Sequence, residues 1–103
     1  MTLYRKKKVE IVVEAAQARR VLQILTHLHV KGYTVLSSVS GRGSRSSRSQ
    51  LRESSGVLGN LLIIVIAAEE LAYRIVEACQ PLLADDIGII YLSDVEVVRD
   101  ERF

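Results

Sequence analysis

An α+β fold is expected from three features of the chain: stretches that alternate apolar and polar residues, two stretches whose apolar residues recur at helical spacing, and the order in which these follow one another. In residues 7–14, Val9, Ile11 and Val13 alternate with Lys8, Glu10, Val12 and Glu14. A period of two is the pattern of a strand with one covered face. Over residues 15–30 the period becomes helical: Ala18, Val21, Leu22, Leu25 and Leu28 form one stripe, and Arg19, Arg20, Gln23 and Thr26 point away from it. Gly32 either ends that helix or opens the next strand. Residues 33–40 are expected as the second strand, and 41–58 as an exposed loop. Residues 61–66, Leu-Leu-Ile-Ile-Val-Ile, form a third strand that is apolar on both faces. Glu69 and Glu70 then suit the first turn of a second helix, where carboxylates meet the positive end of the dipole. The stripe of that helix is Leu71, Ala72, Ile75, Val76 and Cys79, and Pro81 is expected to end it. Asp85-Asp86-Ile87-Gly88 makes a turn before a last strand over 89–98.

The order is therefore β-α-β-β-α-β, a split βαβ or ferredoxin-like arrangement in one domain spanning residues 1–103. Its four-stranded antiparallel sheet carries both helices on one face and leaves the other open. With the third strand apolar on both sides and the fourth nearly so, that open face would expose more apolar surface than a monomer tolerates. Burial against further copies of the chain follows. An RNA-recognition module also uses this face, but it stacks bases on aromatic side chains, and here only Tyr33, Tyr91 and Tyr4 are candidates.

Composition narrows the class. Of 103 residues 49% are hydrophobic and 25% charged, which is that of a globular domain with an adequate core. A lone cysteine, Cys79, excludes an internal disulfide framework and suits a reducing cytoplasm. Arg5-Lys6-Lys7-Lys8 leads into a strand-like segment with glutamates, so no secretion signal is expected, and the run reads as a solvated strand entrance. Net charge is only +2, yet residues 1–52 hold eleven basic and two acidic side chains, whereas 53–103 hold three and ten. That asymmetry suggests anion binding by the first half, or complementary contact between copies. No nucleophile–base arrangement, no metal motif and no P-loop lysine is present, so an enzyme is not expected. His27 and His29, two apart on the expected helix, point to different faces and do not suggest a metal pair.

The stretch that carries chemistry is 31–52, K-G-Y-T-V-L-S-S-V-S-G-R-G-S-R-S-S-R-S-Q-L-R. A strand feeding Gly41 and Gly43 allows backbone N–H groups to turn towards an anion. Arg42, Arg45, Arg48 and Arg52 add planar forks that match phosphate or carboxylate. On these residues alone it is an anion-binding loop suited to a phosphorylated small molecule. A basic loop that binds nucleic acid through its phosphates is the alternative.

The K-G-Y-T-V segment leading to G-R-G-S-R, the long loop after the second strand, and D-I-G-I-I-Y-L-S-D-V-E-V-V near the end resemble the P-II signalling superfamily. The resemblance covers almost the whole chain. It is closest to the P-II-like branch of SbtB bicarbonate-transporter regulators and carboxysome-associated P-II proteins. It implies a homotrimer with adenine-nucleotide sites in the clefts between subunits, and a T-loop, here about 42–58, that changes with ligand and engages a partner. By position, Tyr33 and Thr34 would lie near the adenine, and Gly41, Gly43, Ser44, Arg45 and Arg48 around the phosphates. Ile87, Gly88 and Ile89 correspond to the B-loop side of the cleft, and Arg99 and Arg102 to the basic C-terminal segment that approaches phosphates from a neighbouring subunit. Bicarbonate is implied as a second ligand, and a membrane bicarbonate transporter or another carbon-uptake component as the target.

Departures from the family pattern shape the expectation. Leu83-Ala84-Asp85-Asp86 stands where nitrogen-sensing P-II proteins have a glycine- and lysine-rich B-loop. Two aspartates beside a polyphosphate disfavour further negative charge, which tilts the ligand towards AMP, ADP or a cyclic nucleotide over ATP. Residues 41–60 contain no tyrosine, so uridylylation is not expected. With Phe103 as the last residue, the redox switch of cysteine-extended SbtB proteins is not expected either. Arg45→Ala is expected to weaken nucleotide binding by about 1–3 kcal/mol, the scale of a lost charge-assisted contact. Unchanged affinity in a calorimetric titration would remove Arg45 from the site.

Overall fold

Pairing of strands far apart in sequence decides the architecture. The computed structural model describes residues 1–39, 59–84 and 88–103. Strand β1 (Tyr4–Glu14) is followed by helix α1 (Ala15–His27), strands β2 (Thr34–Val39) and β3 (Asn60–Ala67), helix α2 (Glu69–Leu83) and strand β4 (Gly88–Val97). A short 3-10 turn, Asp100–Arg102, completes the described chain. The strands form one four-stranded sheet in the order β2-β3-β1-β4, with every neighbouring pair antiparallel. This is the ferredoxin-like arrangement expected from the element order.

The period-two residues of β1 and β3 form the centre. Val9, Ile11 and Val13 stand opposite Val65, Ile63 and Leu61, and all of these except Leu61 are fully buried. Ala18, Val21 and Leu25 of α1 and Ala72, Ile75 and Cys79 of α2 close over that face. Leu22, Leu28, Leu71 and Val76, also in the expected stripes, are partly buried and pack around this cluster. The cover is one-sided. Residues of opposite parity, Val12, Leu62, Ile64 and Ile66, lie on the other face and keep partial exposure.

Element ends differ from the sequence reading in instructive ways. Strand β1 starts at Tyr4, three residues before the expected start at Lys7, because β4 extends far enough to pair Tyr4 with Val97. Helix α1 stops at His27, and His29 takes a left-handed φ of 59°. His29 is therefore outside the helix, and its N–H donates to the Thr26 carbonyl at 3.0 Å, closing the turn. Pro81 does not end α2 but lies inside it. Proline removes one N–H donor, yet this near the C-terminus only one helical bond is lost. Strand β2 is shorter by one residue at its start, and a register shift between Ser37 and Val39 marks its approach to the loop.

Gly88 is in β4, not in the turn before it. A Cβ there would stand 2.9 Å from Leu83 Cδ2 and 3.0 Å from the Val12 carbonyl oxygen. The glycine allows the end of α2 to pack directly onto the start of β4. Gly88→Ala is expected to lower stability by about 1–3 kcal/mol, the usual range for overpacking, in a urea titration. The Cys79 thiol is fully buried, and loss of water around it pushes its pKa up to about 11. At pH 8 a thiol reagent should leave the native protein unlabelled and label it promptly once it is denatured.

Candidate functional site

The sheet has two ends with different contents. At the far end, where β1 finishes and β4 begins, Glu14 stands opposite Asn60, Asn60 opposite Val39, and Val13 opposite Gly88. The chain enters and leaves segments 40–58 and 85–87 at this end, the first between β2 and β3 and the second before β4. Gly41, Gly43, Ser44, Arg45, Arg48 and Ile87 fall outside the described residues. Glu14, only 2% exposed, sits at the same end and was not singled out by the sequence; its alternation with Val13 gave no hint of burial.

The described members of the expected site separate onto opposite edges. Tyr33 precedes β2 and Thr34 opens it, whereas Gly88 and Ile89 open β4. Strands β3 and β1 lie between them. Three strand spacings of ~4.8 Å put the edges about 14 Å apart. Tyr33 is 47% and Ile89 58% exposed, so both edges remain uncovered within the single chain. No one chain brings these residues together.

At the near end the C-terminal segment turns back over the open face. Lys6 shares that face with Lys8 and Glu10, and its Nζ lies 2.6 Å from Asp100 Oδ1. Lys31 Nζ donates to the Glu101 carbonyl at 3.2 Å, which ties this segment to the approach to β2. Arg99 and Arg102 are exposed and, with Val97, Val98 and Phe103, line one open concavity of about 600 Å³. The structure thus places Arg99 and Arg102 in one region and joins that region to the Tyr33–Thr34 end of β2 through Lys31.

A polar trio crosses the middle of the open face. Tyr91 Oη donates to Glu10 Oε2 at 3.1 Å, and Lys8 Nζ pairs with Glu10 Oε1 at 3.2 Å. Removal of water around Tyr91, together with that bond to Glu10, pushes its hydroxyl pKa up. The Tyr91 hydroxyl is thus engaged with a carboxylate.

The basic run at the start of the chain is not simply a solvated entrance. Lys6, Lys7 and Lys8 each have an acidic partner: Asp100, Asp94 and Glu10. Pairing of β1 with β4 brings the basic first half of the chain against the acidic second half, so part of the charge asymmetry is answered within one chain. Partners 87 residues apart leave no local signal. The unequal halves were the one clue.

The Lys7–Asp94 contact of 2.6 Å is the clearest electrostatic example. The hydrogen bond from Lys7, then its charge, holds the Asp94 carboxyl below its ordinary value, and the bond from Asp94 raises the Lys7 ammonium. The Asp94 contribution is therefore present above the normal carboxylate range and lost as pH falls through its lowered pKa; that of Lys7 is lost only as pH rises through its raised one. Asp94→Asn should shift the urea midpoint at neutral pH, and the difference from the parent should close as pH drops below about 4. A constant difference down to about pH 2, below the usual carboxylate range, would mean that the pair does not titrate as described.

With this geometry in view, the likeness to known proteins is informative. The chain matches the family model described as Nitrogen regulatory protein P-II over residues 6–102. The structure of CPII, a PII-like protein from Thiomonas intermedia K12 bound to ADP, AMP and bicarbonate, is similar with a TM-score of 0.84 and 30% identity, covering 99% of this chain and 96% of that one. A PII-like signaling chain from Thermus thermophilus is similar with a TM-score of 0.77 and 30% identity, covering 100% and 99%. GlnK from B. subtilis, in its ATP complex, shares the fold with a TM-score of 0.57 at 17% identity over 88% and 82%. A family match over nearly the whole length, joined to a sheet and helix arrangement shared with PII-like structures, makes this chain a member of the P-II family, in its P-II-like branch.

Proposed function

We propose that this protein is a non-enzymatic P-II-like sensor that binds adenine nucleotides, with AMP and ADP favoured over ATP, and takes bicarbonate as a second ligand. The observation that carries this reading is the likeness over 99% of the chain to a protein whose structure holds ADP, AMP and bicarbonate. A related structure of that protein holds ADP and bicarbonate.

The geometry supports an inter-subunit location. Residues on opposite sheet edges, Tyr33 and Thr34 on one side and Gly88 and Ile89 on the other, meet only when the β2 edge of one copy faces the β4 edge of the next. A closed ring of three copies provides three such clefts and covers the apolar open faces at the same time. In each cleft Tyr33 and Thr34 flank the adenine, while Gly41, Gly43, Ser44, Arg45 and Arg48 surround the phosphates. Ile87, Gly88 and Ile89 form the opposite wall, and Arg99 and Arg102 add charge. Ligand-dependent ordering of the T-loop, about 42–58, then engages or frees a carbon-uptake component in the cytoplasm, a membrane bicarbonate transporter in the first instance. Such signalling needs the nucleotide to favour one loop state over the other.

The test is a calorimetric titration of the intact protein with AMP, ADP, ATP and cyclic AMP, each with and without bicarbonate, with the mass of the assembly measured by light scattering. Saturation at about one nucleotide per chain in a trimer, with affinity altered by bicarbonate, is the expected result and yields the coupling free energy. Binding unaffected by bicarbonate would retain an adenylate sensor and remove the carbon input. No binding, together with steeply salt-dependent RNA affinity, would replace this reading with the nucleic-acid alternative.

A further inference from the structure

The segment Arg99-Asp100-Glu101-Arg102 places two acids between two arginines, and the structure treats the two kinds differently. Asp100 turns onto the sheet and meets Lys6 at 2.6 Å. The lysine side chain is 11% exposed, so its charge is nearly covered, and a covered ammonium requires a partner. Glu101 contributes its main-chain carbonyl to Lys31 at 3.2 Å. The Phe103 N–H donates to the Asp100 carbonyl at 3.2 Å and closes the 3-10 turn. Arg99 and Arg102 take no part in these contacts. Both are exposed, both line the same concavity, and among the described residues neither has an ion-pair partner.

We infer that Lys6 and Lys31 are positioning residues: they strap the C-terminal segment across the near end of the sheet, with Asp100 as the anchor, so that Arg99 and Arg102 are held outward as a phosphate-reading pair. The strap has two attachment points on separate strands' ends, one at β1 and one at the approach to β2. Two points fix both the place and the direction of a short segment, whereas one would leave it free to swing. The same attachment turns the acidic side chain of Asp100 away from the arginines and towards Lys6, so the local negative charge is spent on the anchor and not on the arginine forks. This inference rests on the nucleotide-binding reading for the identity of the phosphate, but the strap itself does not.

The test compares the parent with Lys6→Met, Asp100→Asn and the reciprocal pair Lys6→Asp with Asp100→Lys, all in the full chain. Each is titrated with ADP and with adenosine, and amide hydrogen exchange is followed over residues 99–103 without ligand. The two single variants are expected to weaken ADP binding about two- to fivefold, the scale of one partly exposed ion pair, and to leave adenosine unchanged. They should also speed exchange in the C-terminal segment, and the reciprocal pair should restore both readouts. Equal losses for ADP and adenosine would show a general structural defect and overturn the inference, as would exchange and ADP affinity that do not change. If the parent binds neither ligand, the nucleotide reading fails and exchange alone decides the strap: faster exchange in the single variants retains it, and unchanged exchange removes it.

Discussion

The register between β1 and β3 is the constraint on which the rest of this structure depends. Val9 faces Val65 and Ile11 faces Ile63, and all four are fully buried beneath the two helices. A slip of β1 by one residue would carry Val9 and Ile11 to the open face and bring Lys8 and Glu10 under the helices beside Val65 and Ile63. The lysine and glutamate would then be buried away from the water that solvates them, at a cost of several kcal/mol each. Hydrophobic alternation thus selects a single pairing, and that pairing fixes which strands become edges.

From that selection the layout of the site follows. With β1 and β3 central, β2 and β4 can only be edges, and the two segments 40–58 and 85–87 leave from the same end of the sheet. Residues that would form one ligand pocket are divided between the edges. Under the proposed reading the site is completed by assembly, and ligand binding and subunit contact are energetically linked. The open face reinforces the point: Val12, Leu62, Ile64 and Ile66 lie beside the Lys8–Glu10–Tyr91 trio, a surface part apolar and part charged. Such a mixture suits contact with a defined partner better than nonspecific association, because misplaced charges would lose their hydrogen bonds.

Lysine pairs at the start of β1 show how local reading and fold can disagree. Three adjacent lysines invite the interpretation of a solvated run, and each is instead matched by a different acid. The side chains alternate across the sheet, so Lys7 meets Asp94 beside Tyr73 on the helix side while Lys6 and Lys8 point to the open face. The partners of Lys6 and Lys7 cannot be assigned from spacing, because they are set by the fold, whereas Lys8 meets Glu10 two residues along the same strand. Pro81 teaches the converse: a strong local signal was overridden, since burial of Cys79 and the packing of Leu82 and Leu83 on the core hold the last turn of the helix in place.

By itself the sequence determined the number, type and order of the elements, the residues of the two helical stripes, the one-sided cover of the sheet and the branch of the family. Each of these is written in short-range periodicity or in contiguous motifs such as K-G-Y-T-V and D-I-G-I-I-Y, where neighbouring residues carry the information. Only the tertiary structure decided that Gly88 is a close-packing position, that Tyr33 and Ile89 stand on opposite edges, and that Lys6 and Lys31 hold the C-terminal segment. Those facts depend on contacts between residues separated by up to 94 positions (Lys6 and Asp100), whose energies arise only after the strands have paired. Periodicity reports which face of an element is buried; it does not report what that face will meet.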